Sequence, residues 1–142
     1  YGNLKADLVF LQEKLNGQIY IDNVINNSIV PLFAAKQQLT LMLDGAIPHT
    51  ARIVADHLAN LGIAVLPWSS ESPDMNPIKL LWYQLERRVR ARQQPPTNLA
   101  EQCRALQEEW DAIPAERVRR LTVSMRRRCL AVMAANGGHT RY

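Results

Sequence analysis

A chain of 142 residues, 47% hydrophobic with 6 Gly and 8 Pro, has the composition of one ordinary globular domain, which excludes a fibrous or low-complexity chain. No apolar run approaches the roughly 20 residues that span a bilayer, and no signal peptide is visible at the start of the chain. The net charge of +4 is lopsided: residues 1–86 hold five Lys/Arg against eight Asp/Glu, and residues 87–142 hold twelve against five. A basic half on a mildly acidic body fits contact with nucleic-acid backbone, or equally a solvated arginine-rich surface. Cys103 and Cys129 fall on apolar helical faces and read as free buried thiols, which fits a reducing compartment. His49, His57 and His139 have no ligand-like spacing with them, which argues against zinc.

In chain order, Asp7 to Gln12 (DLVFLQ) has the make-up of a strand, and Leu15-Asn16-Gly17-Gln18 of a turn. From Gln18 to about Ala35 the apolar residues Ile21, Val24, Ile25, Ile29, Leu32 and Phe33 recur at helical spacing. Pro31 is expected to bend or end that helix. Leu39, Leu41, Met42 and Leu43 predict a strand buried on both faces, as in the middle of an α/β sheet. Asp44 stands where that strand stops and the chain turns at Gly45. Ligands and metals collect at the carboxyl ends of such strands, so Asp44 is a candidate metal ligand; the alternative is an acid that merely starts a turn.

Thr50 is placed to cap a helix over about Ala51–Asn60, with Ile53, Val54, His57, Leu58 and Leu61 facing inward and Gly62 stopping it. Ile63 to Leu66 predicts a short strand ended by Pro67. Alternating strands and helices with loops this short imply parallel pairing. Trp68 to Asn76 is a polar loop. Asn76-Pro77 is a strong helix start, a side-chain cap followed by proline at the first helical position. Ile78, Leu81, Trp82, Leu85 and Val89 share one face of the helix that follows, which runs to about Gln93.

Gln94-Pro95-Pro96-Thr97 breaks the pattern. Asn98 with Glu101 makes a capping box for a helix lined by Leu99, Cys103, Leu106 and Trp110. Pro114 starts another, with Val118 and Leu121 inward. Ser124 is placed to cap a last helix through Met125, Cys129, Val132 and Met133, ended by Asn136-Gly137-Gly138. Arg87, Arg88, Arg90 and Arg92 cluster at the end of one helix, and Arg126, Arg127 and Arg128 run together on another. Trp68, Trp82 and Trp110 read as packing anchors, and His49 as a local hydrogen-bonding group.

Two blocks carry a resemblance. Asp44, Pro48, His49, Thr50 and Ala51 match the Asp-Asn-Ala-Arg-Pro-His-Thr-Ala pattern of mariner-type transposases, with Gly45 and Ile47 replacing its Asn and Arg. Ser72, Pro73, Asp74, Asn76, Pro77, Ile78, Leu81 and Trp82 match that family's Ser-Pro-Asp-Leu-Asn-Pro-Ile-Glu-x-Leu-Trp block, and Arg87-Arg88-Val89-Arg90, Asn98-Leu99, Trp110 and Gly137-Gly138-His139-Thr140 continue the match. The chain thus resembles the catalytic domain of the DDE group over nearly all its length. The resemblance implies an α/β, RNase H-like fold that lacks its first strands, with additional C-terminal helices. On this reading residues 1–93 are the RNase H-like part of a single domain that begins inside the fold, and residues 94–142 its helical extension.

The family's chemistry is metal-dependent phosphoryl transfer in DNA transposition and integration. It implies two divalent ions, Mg²⁺ or Mn²⁺, held about 3.5–4 Å apart by three clustered carboxylates. Asp44 corresponds to the second acid. The third falls at Lys79 after 34 intervening residues, the family's own spacing. The first lies on a strand before the segment that matches the start of this chain. An ammonium at the third position would fill the region a metal should occupy and attract Asp44. The resemblance therefore implies a decayed site with no metal bound, and Asp74, Glu71 and Glu86 are poorly placed to replace the missing acid.

DNA is the implied partner, through backbone contacts from Arg87, Arg88, Arg90, Arg92, Arg126, Arg127 and Arg128. An open sheet edge also implies self-association, or a partner that covers that edge. The location is the nucleus in a eukaryote, otherwise the cytoplasm or nucleoid. The rival reading is a non-enzymatic DNA-binding or protein-interaction module derived from a transposase.

Overall fold

The computed structural model describes residues 5–36, 38–68 and 75–140. The chain forms two compact units, one spanning Val9–Glu71 and the other taking Tyr1–Leu8 with Ser72–Tyr142.

In the first unit, Asn16 accepts the Ile19 N–H at 2.9 Å and so starts a helix where a turn was expected. Helix α1 (Gly17–Tyr20) continues into a π-helical stretch, Ile21–Ile29, and then α2 (Val30–Ala35). The helix passes through Pro31 without ending. The Val30 N–H bonds to the Ile25 carbonyl five residues back. Such a wider turn moves the preceding carbonyls away from the proline ring and removes the clash that normally breaks a helix.

Strands β1 (Leu41–Met42) and β2 (Val65–Leu66) pair in parallel, Leu41 with Val65 and Met42 with Leu66. The short α3 (Ile47–Thr50) and α4 (Arg52–Asn60) form the crossover between them. Ile25, Val54 and Leu58 centre the core, with Tyr20, Ile21 and Ile63 around them.

Several expectations fail here for identifiable reasons. Residues 7–12 are not a strand: a strand exists only through its ladder, and the only ladder among the described residues is β1 with β2. Leu41 and Met42 are half-buried, not buried on both faces, because a two-stranded ladder leaves edges open to water. Thr50 does not cap α4; its hydroxyl donates back to the Ala46 and Ile47 carbonyls, and Ala51 takes the cap position. Ile53 and Leu61 face outward, so the inner stripe of α4 narrows to Val54 and Leu58. Gly62 does stop the helix, with a φ of +66° that favours glycine.

Among the described residues, the second unit holds three α-helices, α5 (Pro77–Arg90), α6 (Leu99–Asp111) and α7 (Ala115–Ala134). Asn76 caps α5 by accepting the Ile78 N–H at 3.2 Å. Leu81, Leu85, Trp110, Ile113 and Leu121 form the core. Trp82, expected inside, is partly exposed and stacks on Trp110 with ring centroids 5.4 Å apart. Trp110 Nε1 donates to the Ala6 carbonyl at 3.0 Å, and the Lys5 ammonium caps the carbonyl end of α6 through Trp110 and Ile113.

Asn98 accepts the Glu101 N–H at 2.9 Å, as a capping box requires. Glu101 closes the box one residue early, on the Thr97 N–H at 2.8 Å, and this bond holds its carboxyl below the usual range. Leu99, expected on the inner face, is exposed at the first position of α6. Ser124 starts no helix: α7 runs through it for 20 residues, and its hydroxyl donates to the Leu121 carbonyl at 2.7 Å. Cys129 is exposed on the outer side of that continuous helix, while Cys103 is half-buried. The expected loop over Trp68–Asn76 falls largely on residues 69–74, outside the described residues.

Candidate catalytic site

Asp44 follows β1 by two residues, at the carboxyl end of the parallel pair. Its Oδ1 accepts the Ala46 N–H at 3.3 Å, which closes a side-chain turn over Gly45. Ala46 then leads into α3, where Pro48 sits in the first turn and His49 points back. His49 Nδ1 lies 2.6 Å from Asp44 Oδ1, and the two side chains are 21% and 26% exposed. A carboxylate accepts from that nitrogen, so the pair is a charge-assisted hydrogen bond in a partly dry setting. The Tyr20 ring packs on the His49 imidazole at a centroid distance of 4.4 Å. Burial, with the Asp44 carboxylate as the lesser cause, pushes the Tyr20 hydroxyl up to about 12.

These residues stand beside a crevice of about 480 Å³, walled by Leu43, Leu58, Ile63 and Leu66 with Trp68 among its lining residues. Asp44, His49 and Thr50 are its polar side chains. Tyr20 was not singled out in the sequence, where it reads as one more apolar position on a helical face. Its one signal is a hydroxyl one turn after the Asn16 cap.

Lys79 is in the other unit, as the third residue of α5. The Asn76 cap and Pro77 fix that register, and the Lys79 N–H donates to the Asn76 carbonyl at 3.1 Å. The side chain is exposed, and the first turn of α5 holds no acid. Asp74 and Glu71 lie outside the described residues.

The arginines do not form one open basic surface. Arg88 pairs with Glu109 at 3.9 Å, Arg90 with Glu86 at 2.6 Å, and Arg92 with both Glu108 and Glu109. Arg87 lies over the Tyr83 ring at 5.8 Å. Arg126 and Arg127 are exposed, whereas Arg128 is buried. A run of three conceals helical periodicity, and the third member turns inward beside the Leu121 face. His57 bonds Asn26 at 2.9 Å.

A pair of divalent ions needs several hard oxygen donors converging. Among the described residues no three His, Cys, Asp or Glu side chains do so, and Asp44 Oδ1 is already committed to His49 and Ala46. These residues by themselves do not fit a two-metal centre.

The sequence model of the family described as DDE superfamily endonuclease matches residues 5–100. The chain belongs to that family. Its relatives are mariner-type. It is 32% identical over 123 residues to the Tcb1 transposase of Caenorhabditis briggsae, covering 85% of this chain and 44% of that one. It is 40% identical over 97 residues to the Tc1 transposase of Caenorhabditis elegans, covering 66% of this chain and 34% of that one. The DDE chain therefore spans less than half the length of these curated relatives.

The catalytic domain of Mos1 mariner transposase superposes with a TM-score of 0.77 at 25% identity, over 92% of this chain and 66% of that one. The same Mos1 domain with Raltegravir and Mg gives 0.78. The fold is thus RNase H-like and partial, with a small sheet and C-terminal helices. The Mg and Mn complexes of Mos1 fit divalent-metal use by the family.

Proposed function

We propose that this DDE domain is a transposase-derived module that contacts DNA backbone and does not cut it. The observation that carries the reading is Lys79, whose register on α5 the Asn76-Pro77 cap fixes and which the motif resemblance aligns with the family's third acid. The 2.6 Å bond from His49 to Asp44 adds to it, since it ties up an oxygen that a metal would need. A cation at one acid position and a hydrogen-bonded carboxylate at another oppose the clustering of negative charge that draws divalent ions together. DNA contact rests on the arginine excess of residues 87–142 and on the Tc1-like relatives being transposases. A nuclear location follows for a DNA-bound protein of the kind found in those nematodes.

The test has two parts. Mn²⁺ is titrated while amide resonances near Asp44 are followed, and supercoiled plasmid is incubated with the chain and Mn²⁺. The expected outcome is no saturable shift at Asp44 and no nicking. Nicking abolished by Asp44→Ala would show a working centre. Lys79→Glu in a chain extended upstream by the family's first strand is expected to regain nicking, which separates a decayed enzyme from a module of other origin.

A further inference from the structure

Helix α7 has two seams. Val118, Leu121, Met125, Arg128 and Val132 follow one another at alternating steps of three and four, and all are buried or half-buried. This is the side that packs into the unit. Glu116, Arg119, Val123, Arg126, Leu130 and Met133 repeat the same steps on the nearly opposite side, and all six are exposed. Val123 is 64% exposed, Leu130 55% and Met133 71%. Steps of three and four keep residues in line along a helix, which is the spacing by which one helix receives another. An ordinary surface helix has one apolar stripe and a polar back. This helix has apolar residues on both sides.

The charges on the outer side choose the occupant. Arg119 and Arg126 lie within the seam, and Arg120 and Arg127 run along one edge of it. A groove of about 590 Å³ is lined by these four arginines with Val123 and Leu130. Glu116 pairs with Arg119 and Arg120 at 2.9 and 3.1 Å and is the single acid on this side. A second copy of the same helix would bring four more arginines against these, a like-charge arrangement that opposes association. Phosphate backbone would satisfy the arginines and leave Val123, Leu130 and Met133 in water, gaining nothing from them. An amphipathic helix with aliphatic residues in its seam and carboxylates opposite Arg119 and Arg126 answers both features.

We propose that the outer face of α7 is a docking surface for an acidic amphipathic helix of a partner protein, held by Val123, Leu130 and Met133 and oriented by Arg119 and Arg126. The surface is independent of whether the DDE centre is active. Because the arginines serve both ligands, the docked helix and DNA compete, while the apolar seam serves the helix alone.

The probe is a fluorescein-labelled synthetic helix of about three heptads, with Leu and Ile in its seam and Glu at the positions facing the arginines. A scrambled peptide of identical composition and a short DNA duplex are the comparisons. Anisotropy is measured on the full chain and on the V123S/L130S/M133S variant, whose side chains are exposed, so its circular dichroism and melting are expected to match the parent. The variant is expected to lose about tenfold or more in affinity for the peptide and to keep its affinity for the duplex within about twofold. R126E is expected to lose the acidic peptide and regain a peptide whose facing Glu is changed to Lys.

Equal binding of the scrambled peptide, or no binding of the designed one, overturns the proposal. So does an equal loss of duplex binding in the serine variant, which assigns the face to DNA. A concentration-dependent dimer that the serine variant abolishes also overturns it, in favour of a second copy of this chain.

Discussion

At the scale of single residues, the chain holds opposed local preferences. Lys79 is the third residue of α5, where the positive end of the helix favours an acid. A lysine there is unfavourable for the helix. Lys79→Glu is therefore expected to raise stability by about 0.3–1 kcal/mol, whatever it does to activity, as an increase in the urea midpoint with unchanged slope. A destabilised variant would mean that the Lys79 head makes a contact worth more than the helix end costs it.

Tyr20 supplies a second prediction at this scale. Its hydroxyl is raised from 10.0 to about 12, by burial first and by the Asp44 carboxylate second. Below pH 10 both folded and unfolded chains keep the proton. Between 10 and 12 the unfolded chain has lost it and the folded chain has not, so unfolding releases a proton and stability falls as pH rises through that window. Thermal melts from pH 9 upward are expected to show a decline that Tyr20→Phe flattens. An identical decline in both proteins would place the titration elsewhere.

At the scale of elements, helix ends were the most legible feature and strand extents the least. Asn76-Pro77 and Asn98-Glu101 name their helices because a cap is a local bond between neighbours in sequence. Asp7–Gln12 misleads because its apolar residues specify burial, not a ladder, and a ladder depends on a partner that no local pattern encodes. Thr50 and Ser124 are both satisfied by carbonyls behind them, a choice open to any hydroxyl and undecided by sequence alone. Pro31 does not end its helix, because the π-helical turn ahead of it, for which no sequence rule exists, accommodates the ring. Around Asp44 the acid and His49 were readable, and Tyr20 was not, because its ring contact is with His49, 29 positions further along; the register of Lys79 was readable from the cap of α5. The caps also rank. Asn76 is buried and Asn98 exposed, so Asn76→Ala removes the bond and leaves α5 ending in a dry setting. Its cost is expected near the upper end of roughly 0.5–2 kcal/mol, and that of Asn98→Ala near the lower end. Equal costs in chemical denaturation would show that burial adds nothing to the cap.

For the whole molecule, part of the basic charge already has acidic partners. The basic residues of 87–142 are twelve arginines and no lysine. Arg88, Arg90, Arg92, Arg119 and Arg120 face Glu109, Glu86, Glu108 or Glu116, and Arg128 is buried. Exposed pairs of this kind are weakly held, so a phosphate can displace the carboxylate, but the carboxylate then stands beside the phosphate. Each such exchange offsets part of the gain from counterion release. Twelve full phosphate contacts would give a slope of roughly −11 in log affinity against log salt, and a far shallower slope is expected here. Replacing Glu108 and Glu109 together by Gln frees Arg88 and Arg92. That variant is expected to bind duplex DNA more tightly at low salt and with a steeper slope, by up to about two phosphates' worth. Neutralising Glu13, which belongs to the Val9–Glu71 unit, is the control for general charge. If both changes raise affinity alike, the pairs play no specific part and the basic half acts only as a diffuse field.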